Sequence, residues 1–381
     1  GLVQAGGMIA ADLENGKFYE HTEIVDELAA KHPYENWLKN VRDLDPEIGP
    51  GEEPRLFDTE AMLRRQKVAG FTLETLELIL APMAENGKEA IGSMGDDSPV
   101  AVLSERFRPL SHFFRQKFSQ VTNPPIDPLR ETRVMGLKTR FRNLRNILAD
   151  GPDQTDEMYM LDSPVLTNGM FARYLDMVGD NQAIIDCTFD LPKPTARKGG
   201  ALKNALTRVK KEAEKAVRAG KENIILSDEA QGPGSAAMPI ILCVGAVHTH
   251  LVSKGLRSSC SILVRSAECL DTHYYAVLIG AGATAVNAYL SQNSLMRRAD
   301  SGLIDVTAEQ AVKNYKYAIE QGLLKIISKM GISVISSYRG GNNFEALGLS
   351  RSLVNECFPG MTSRISGIGL AGLEHNLLET H

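Results

Sequence analysis

The second half of the chain repeats one pattern, in which a short apolar segment is followed by an amphipathic helix. The apolar segments, predicted as strands, are 183–187, 223–227, 261–265, 283–289 and 332–336. Apolar residues at helical spacing predict helices over 201–219, 239–254, 272–279 and 308–329. Strands that alternate with helices are joined by right-handed crossovers and lie parallel in one sheet. The pattern therefore predicts an α/β fold, with a parallel sheet that is either open or curled toward a barrel.

The first half of the chain has a different organisation. Residues 1–150 are predicted to form a mostly helical N-terminal portion, and 151–381 the β/α portion. The limit between them falls in the polar, turn-rich stretch 150–156. Near the start, Asn15 and Gly16 separate two short alternating segments and favour the positive φ angles of a tight turn, which predicts a β-hairpin.

Charge is distributed unevenly along the chain. Residues 1–60 are rich in Asp and Glu, whereas 104–145 are rich in Lys and Arg. The basic stretch could bind an anion or a partner. Surface charge is more often solvated or neutralised within the molecule, and that second interpretation is favoured.

Composition excludes several classes of function. The chain has 381 residues, a net charge of -5 and a pI near 6.0, which argues against a nucleic-acid-binding surface. No apolar run is long enough to span a membrane, so no membrane partner is expected. The five cysteines are scattered and form no CxxC motif, which is typical of reduced thiols and predicts a cytoplasmic protein.

Two short motifs invite a ligand-binding interpretation that their context does not support. Residues 280–285 match the GxGxxA fingerprint, which requires a preceding strand and a following helix. Here a helix is predicted before the glycines and a strand after them, so these glycines are expected to cap a helix. His248 and His250 resemble a pair of metal ligands, but residues two apart on a helix point in different directions. No metal site is therefore predicted.

The segment from Asp228 to Ser235 leaves two interpretations open. Asp228 and Glu229 follow a predicted strand, where the loops of α/β folds carry ligands. Residues 232–235 are then expected to begin a helix whose free N–H groups could hold an anion. The alternative, which is favoured, is a capped loop with solvated carboxylates. The sequence contains no GxSxG elbow, Walker loop, HExxH motif or Cys/His signature, so catalysis by this chain alone has little support.

Longer strings in the sequence resemble the central domain of the glutamate synthase large (alpha) subunit. The matching segments are 8–12, 15–17, 32–34, 90–99, 118–131, 226–228, 244–248, 328–333 and 337–340. Two strings, QVTNPPIDP at 120–128 and SKMGIS at 328–333, are long and hard to obtain by chance. The resemblance extends from end to end of the chain.

The resemblance implies a place between two catalytic domains. In this family an N-terminal amidotransferase hydrolyses glutamine, and ammonia passes through an internal tunnel to an FMN-binding barrel. There it condenses with 2-oxoglutarate, and reduced flavin, fed by an iron-sulfur cluster, yields L-glutamate. The central domain resembles a rudimentary, incomplete TIM-like barrel, and its β/α portion leads toward the FMN domain. The electron donor is NADPH, through a small FAD-containing subunit, or ferredoxin.

This chain lacks the family's catalytic parts. The amidotransferase needs an N-terminal cysteine, whereas position 1 is Gly, and the iron-sulfur cluster needs closely spaced cysteines. The chain is therefore expected to be a fragment of a longer enzyme, without cofactor or activity of its own. Its expected partners are the amidotransferase and FMN domains of the same polypeptide. The small NADPH-oxidising subunit is a further candidate partner.

One predicted site lies in the GSMGDD loop. Glycines allow close approach of a backbone to a ligand. The resemblance implies that Ser93, Met94 and Gly95 reach the flavin and 2-oxoglutarate site of the adjacent barrel. The alternative is a tight turn in which Met94 only fills a gap, and the two are weighed evenly.

A second predicted site is the proline-rich string that follows. Its three prolines stiffen the segment, which would brace a domain junction or tunnel wall or, alternatively, form a rigid surface loop. The candidate residues for this role are Gln120, Thr122, Asn123, Asp127 and Arg130. Two alternatives remain for the whole chain: an independent FMN- or phosphate-binding barrel enzyme that uses the loop 228–235, or a docking module for the small subunit.

Overall fold

A computed structural model describes residues 2–90, 100–104, 107–117, 126–146, 148, 151–152, 157–193, 195 and 197–381. Its strands are β1 (Ala10–Asp12), β2 (Lys17–Tyr19), β3 (Val41–Asp43), β4 (Phe114–Gln116), β5 (Thr139–Phe141), β6 (Met158–Leu161), β7 (Gln182–Asp186), β8 (Thr188–Asp190), β9 (Asn223–Ser227), β10 (Ser235–Ala237), β11 (Ser261–Arg265), β12 (Ala285–Asn287), β13 (Phe344–Leu349) and β14 (Thr362–Ile368).

The α-helices are α1 (His21–Ala30), α2 (Tyr34–Leu38), α3 (Asp45–Ile48), α4 (Thr59–Val68), α5 (Ala81–Asn86), α6 (Pro128–Val134), α7 (Asn168–Val178), α8 (Gly200–Arg218), α9 (Ile240–Ser253), α10 (Thr272–Ala281), α11 (Tyr289–Asp300), α12 (Ala308–Lys329), α13 (Ile335–Tyr338), α14 (Arg351–Cys357) and α15 (Leu370–Thr380). A π-helix covers Thr75–Leu80, and 3-10 turns cover Ala101–Leu103, Leu110–Phe113 and Arg257–Ser259.

The core of the β/α portion is a four-stranded parallel sheet in the order β12-β11-β9-β7. Every residue of β9, β11 and β12 is buried. Helices cover both faces of such a sheet, which explains why these strands are continuous apolar runs without alternation. The parallel sheet and the α/β class predicted from the sequence are confirmed. The strand predicted over 283–289 is shorter than expected, because Tyr289 already begins α11.

The helices around this sheet follow the predicted spacing. In α8, Leu202, Leu206 and Val209 are buried on one face. In contrast, nearly all of α9 up to Val247 is buried, so this helix lies inside the core. Gly255 and Gly331 adopt left-handed φ angles of 66° and 65° just after α9 and α12, as expected of residues that terminate helices. The predicted bounds of these helices are correct to within one or two residues.

The strand predicted over 332–336 is wrong. Val334 forms only an isolated parallel bridge to Gly136, and the next residues turn into α13. The backbone N–H of Ile335 donates to the Gly136 carbonyl, so this segment is held by the N-terminal portion instead of by the parallel sheet. The next strand of the chain, β13, lies in a separate sheet of order β14-β13-β4. The β/α repetition therefore ends after α12.

The N-terminal portion contains the predicted hairpin. Strands β1 and β2 pair antiparallel, with Asp12 opposite Lys17, and Gly16 has a φ of 63° in the turn between them. Helices α1 to α5 follow, and β3 and β5 of this portion both pair with β6, which lies after residue 150, in a small three-stranded sheet. Among the helices of the described ranges, none is both long and apolar enough to cross a bilayer.

Candidate functional site

Polar side chains converge where two central strands of the parallel sheet end. Strand β9 ends at Ser227 and is followed by Asp228, and β11 ends at Arg265 and is followed by the loop that carries Glu268. The carboxyl ends of parallel strands meet at one edge of a sheet, which is where ligands bind in open α/β folds. We call Asp228, Glu229, Arg265 and Glu268 the sheet-edge cluster.

Asp228 is fully buried. Its carboxylate accepts hydrogen bonds from Ser266 Oγ at 2.7 Å and from the Ala267 N–H at 2.9 Å. Burial raises the pKa of Asp228 to about 6, since these hydrogen bonds offset only part of the cost of removing the charge from water. The sequence-based prediction that the carboxylates after β9 are solvated is therefore wrong for Asp228, which is buried.

Glu268 faces Asp228 from the neighbouring loop. The Tyr274 hydroxyl donates to its carboxylate at 2.5 Å, and the N–H of Ile240 donates at 3.2 Å, so Glu268 caps the start of α9. Burial, with a smaller contribution from the charge of Asp228, raises the pKa of Glu268 to about 7. Two carboxyl groups that titrate near neutral pH could donate and accept protons.

These carboxyl groups line a cavity of about 360 Å³. Other polar residues of its wall include Thr72, Arg108, Ser111, His112, Asp271 and His381. Both portions of the chain contribute to this wall, so the cavity forms only in the folded protein. Its volume and polar lining suit a small polar molecule.

The other half of the sheet-edge cluster is a rigid ion pair. Arg265 donates to the two carboxylate oxygens of Glu229 at 2.5 and 2.7 Å, and to Asn287 Oδ1 at 2.8 Å. The rings of Phe171 and Tyr289 lie 4.9 and 5.2 Å from its guanidinium carbon. Because a planar guanidinium fits both a carboxylate and an aromatic face, Glu229 is held in place by Arg265.

The turn that follows Glu229 differs from the prediction. Residues Gly232 and Ser235 exchange backbone hydrogen bonds at 2.9 and 3.1 Å and lead into β10, which pairs antiparallel with β8. Since these N–H groups are used within the turn, the expected anion-binding helix start is wrong. The helix begins later, at Ile240.

The glycine motif ends a helix, as expected, and the two histidines contact different side chains. Gly280 lies inside α10, and Gly282, with a φ of 121°, ends it before the chain enters β12. The paired histidines lie on α9, where His248 Nδ1 accepts from Arg257 and His250 Nε2 contacts Glu214 at 2.7 Å. Within the described part of the chain, no group of three His, Cys, Asp or Glu residues could hold a metal ion.

The two predicted junction residues that the structure describes lie together. Asp127 caps the N-terminus of α6 and accepts from the N–H groups of Leu129 and Arg130 at 3.1 and 3.2 Å. The Arg130 side chain donates back to Asp127 at 2.5 Å, and both side chains are exposed. Gln120, Thr122 and Asn123 lie outside the described residues, as do Ser93, Met94 and Gly95.

The structure also joins the two longest strings that the sequence singled out. Ser328 Oγ donates to Glu131 Oε1 at 2.7 Å, and the N–H of Ile126 donates to the Ser328 carbonyl at 3.2 Å. The proline-rich string is thus attached to the end of the long helix α12. Sequence reasoning named both strings without predicting that they touch, because they lie almost 200 residues apart in the chain.

The family model for the glutamate synthase central domain matches residues 64–350. The chain belongs to the glutamate synthase central-domain family. The glutamate synthase [NADPH] large chain of Azospirillum brasilense is 55% identical to it, and the match covers 100% of this chain and 25% of that protein. For the chloroplastic ferredoxin-dependent glutamate synthase 2 of Arabidopsis thaliana, the identity is 40%, over 99% of this chain and 24% of that protein.

This central domain therefore spans about a quarter of the length of the curated relatives it matches. A flavocytochrome b2 variant with pyruvate bound is a structural match at 12% identity. The match covers 50% of the central domain and 56% of that chain, with a TM-score of 0.32. That score is too low to decide anything about the fold.

Proposed function

We propose that this central domain joins a glutamine amidotransferase domain to an FMN-binding synthase domain within one longer polypeptide and helps to form the tunnel for ammonia. The whole enzyme would make L-glutamate from L-glutamine, 2-oxoglutarate and reducing equivalents. The observation that carries the proposal is that relatives named glutamate synthase match this chain over its whole length but extend far beyond it.

The contacts of the described residues support a connecting role. Both strings that are most typical of the family meet at one point, where Glu131 and Ser328 join α6 to α12. Helix α12 is buried along one side and packs against α5, α10 and α11. A displacement at Glu131 would therefore be transmitted to the core of the β/α portion.

The remaining parts of the proposal follow from family membership. FMN and an iron-sulfur cluster would be bound by other parts of the polypeptide, and a small FAD-containing subunit would be needed if NADPH is the donor. The five cysteines of this chain are buried and do not offer a ligand set for a cluster. We further propose a cytoplasmic enzyme, a division at residue 150, and β/α units that form an incomplete TIM-like barrel. The isolated fragment would be inactive.

Coupling between the two active centres tests the connecting role. In the full-length enzyme, Glu131→Ala should uncouple the centres, so that more glutamine is hydrolysed for each L-glutamate formed by the reductive half-reaction. Glu60→Ala is the matched control, because Glu60 is an exposed glutamate on α4 that only pairs with Arg64 in the next turn. An unchanged ratio in Glu131→Ala, with the fold retained, would contradict the proposal.

For the GSMGDD loop, we propose that Ser93, Met94 and Gly95 reach the flavin and 2-oxoglutarate site of the neighbouring domain. Replacing Met94 by Ala in the full-length enzyme should raise the KM for 2-oxoglutarate and leave glutamine hydrolysis in the absence of 2-oxoglutarate unchanged. Met83→Ala is a useful comparison, since Met83 is a fully buried methionine that should affect stability instead. Unchanged kinetics for 2-oxoglutarate in the Met94 variant would remove this assignment.

For the proline-rich string, we propose that Gln120, Thr122, Asn123, Asp127 and Arg130 line the domain junction or the tunnel. Asn123→Ala should then reduce coupling without lowering stability. Asp127 and Arg130 form an exposed pair at the start of α6, which leaves them available for contact with another domain. If Asn123→Ala leaves both the stability and the coupling of glutamine hydrolysis to L-glutamate formation unchanged, the proline-rich string is a rigid surface loop.

The two alternatives for the whole chain have direct tests. An independent FMN enzyme would be yellow or would bind added FMN, whereas we expect no flavin absorbance from this chain. A docking module would co-purify with the small NADPH-oxidising subunit. The loop 228–235 does not favour the first alternative, because its N–H groups at Gly232 and Ser235 are used within the turn.

A further inference from the structure

Two arginines lie near a small cavity at the C-terminal end of α14. The cavity has a volume of about 110 Å³, and its wall includes His248, Gly280, Gly340, Asn342 and Phe358. Arg339 directly precedes Gly340 in the chain, and Arg257 is hydrogen-bonded to His248. Neither the sheet-edge cluster nor the predicted junction includes these residues.

Arg339 has donors without acceptors. Its Nε and Nη2 atoms are both shielded from solvent, and no described residue accepts a hydrogen bond from either. Burial, with the nearby charge of Arg257, lowers the pKa of Arg339 to about 10, so the side chain still carries its charge at neutral pH. A buried cation without acceptors is costly, so an anionic partner at this position would be stabilising.

Arg257 cannot supply the missing acceptor, because it is itself a fixed cation. Its three nitrogen atoms donate to His248 Nδ1 at 3.0 Å, to the Cys260 carbonyl at 2.7 Å and to the Gly282 carbonyl at 2.7 Å. All of these acceptors are neutral. No carboxylate of the described residues forms an ion pair with Arg257 or contributes to its pKa. The two guanidinium groups therefore carry charges that no carboxylate of the described residues compensates.

His248 adds a neutral donor to the same wall. Burial, together with the charge of Arg257, lowers the pKa of His248 to about 4, so the ring is neutral at physiological pH. Since Nδ1 accepts the hydrogen bond from Arg257, the ring proton is assigned to Nε2. A Cβ atom added at Gly340 would lie 3.3 Å from Nε2, so this edge of the ring lies next to Gly340 in the cavity wall.

The glycines keep the cavity open. Gly340 has a φ of 65°, and a Cβ atom there would lie 3.0 Å from His248 Cε1. A Cβ atom at Gly280 would lie 2.7 Å from the ring of Phe344. A larger residue at either position would displace His248 or Phe344, so glycine keeps the wall of this cavity in place.

We infer that Arg339, together with the neighbouring Arg257 and His248, binds an oxyanion group, either a carboxylate or a phosphate. A guanidinium group with two free donors fits two oxygen atoms of such a group. The oxyanion can come from free solution or from an Asp or Glu side chain elsewhere in the full-length polypeptide. Neither source is part of the connecting role proposed above, so the two proposals can fail separately.

Thermal unfolding of the full-length protein with inorganic phosphate tests the site. At constant ionic strength, replacing chloride by phosphate should raise the melting temperature if the oxyanion is free, because a ligand that binds only the folded state stabilises it. Arg339→Gln should weaken phosphate binding at least tenfold. Arg339→Lys keeps the charge but loses the paired N–H donors of the guanidinium group, so it should bind phosphate with intermediate affinity. Arg364→Gln is the control, since Arg364 is highly exposed and distant in the chain from these donors.

The same variants separate the two sources. If a side-chain carboxylate of the polypeptide fills the site, phosphate will have no effect, but Arg339→Gln will lower the melting temperature and Arg339→Lys will lower it less. The proposal is overturned if phosphate has no effect and Arg339→Gln is as stable as the parent protein or more stable. That result would mean that a buried, uncompensated charge had simply been removed.

Discussion

Glu374 of α15 caps the N-terminus of α8 with both of its carboxylate oxygens. Oε1 accepts from the N–H of Gly199 at 2.7 Å, and Oε2 accepts from the N–H of Leu202 at 2.8 Å. Glu374 is only 4% exposed, so these are buried, charge-assisted hydrogen bonds. They attach the last helix of the chain to the first long helix of the β/α portion, where the positive end of the helix dipole favours a carboxylate.

Removal of this cap should destabilise the protein. Glu374→Ala leaves two buried N–H groups without acceptors, and we expect the free energy of unfolding to fall by about 2–3 kcal/mol. Glu379→Ala on the same helix should change it by less than about 0.5 kcal/mol, because Glu379 is exposed and pairs only with His375. Urea unfolding of both variants gives the comparison, and equal losses would contradict a specific capping role.

The pKa values of the sheet-edge cluster predict a pH dependence of stability. Burial raises the pKa of Glu268 from 4.5 to about 7 and that of Asp228 from 3.8 to about 6. A raised pKa means that the fold disfavours the ionised form, so the stabilisation is complete below the unfolded pKa. It is lost as the pH rises through the folded pKa. The free energy of unfolding should therefore fall between about pH 4 and pH 7.

Glu268→Gln tests this dependence. The variant should lose the part of the decline that belongs to Glu268, at most about 3 kcal/mol for a pKa shift of this size. The amide can still accept from Tyr274 and from the N–H of Ile240, so the cap of α9 is retained. Chemical denaturation at several pH values measures the effect, with Glu60→Gln as an exposed control. A variant whose profile runs parallel to that of the parent protein would refute the assignment.

Gly245 is required by packing inside α9. A Cβ atom at this position would lie 2.2 Å from Cε1 of Phe358 and 2.8 Å from the carbonyl oxygen of Cys357. The Phe358 ring is buried and packs edge-on against Phe114 at 5.1 Å, so it has little room to move. Gly245→Ala should therefore lower the free energy of unfolding by about 2 kcal/mol, although alanine favours helices more than glycine.

Gly200→Ala is the matched control for this substitution. Gly200 begins α8, and a Cβ atom there would meet only the Cβ of Arg197 at 3.7 Å, an ordinary contact. We expect no loss of stability in thermal unfolding of this variant. If both alanine variants behave alike, steric packing at Gly245 is not the reason for glycine there.

Arg265 should not tolerate replacement by lysine. A lysine keeps the charge but cannot donate to Glu229 and Asn287 in one plane while it lies between Phe171 and Tyr289. We expect Arg265→Lys to lower the free energy of unfolding by about 1–2 kcal/mol. Arg64→Lys is the control, because Arg64 is exposed and pairs only with Glu60. Equal melting temperatures for the two variants would show that the planar contacts of Arg265 contribute nothing.

The sequence alone identified the parallel sheet because each of its strands has a local signature. Residues 223–227 and 261–265 are buried on both faces, so they read as apolar runs without alternation. The helix before them, α8, has apolar residues every three or four positions. The segment 332–336 has the same β-branched character but does not join the sheet. A backbone hydrogen bond between Ile335 and Gly136 holds this segment away from the sheet, and a contact between residues so far apart in the chain cannot be read from a local pattern.

The family also followed from sequence, since long strings such as those at 120–128 and 328–333 carry their own specificity. The sheet-edge cluster could not be predicted from the sequence. Asp228 was visible as a residue after a strand, but its burial depends on Ser266 and Ala267 from the next strand's loop, and Glu268 gave no signal at all.

The proposed anion site was equally hidden, because Arg257 and Arg339 are brought near each other only by tertiary packing. The sequence by itself determined the fold class, the helices and strands with local periodicity, and the family, since these depend on neighbours in the chain. Tertiary structure alone decided which polar groups are buried and paired, because hydration is lost only when distant segments close around them.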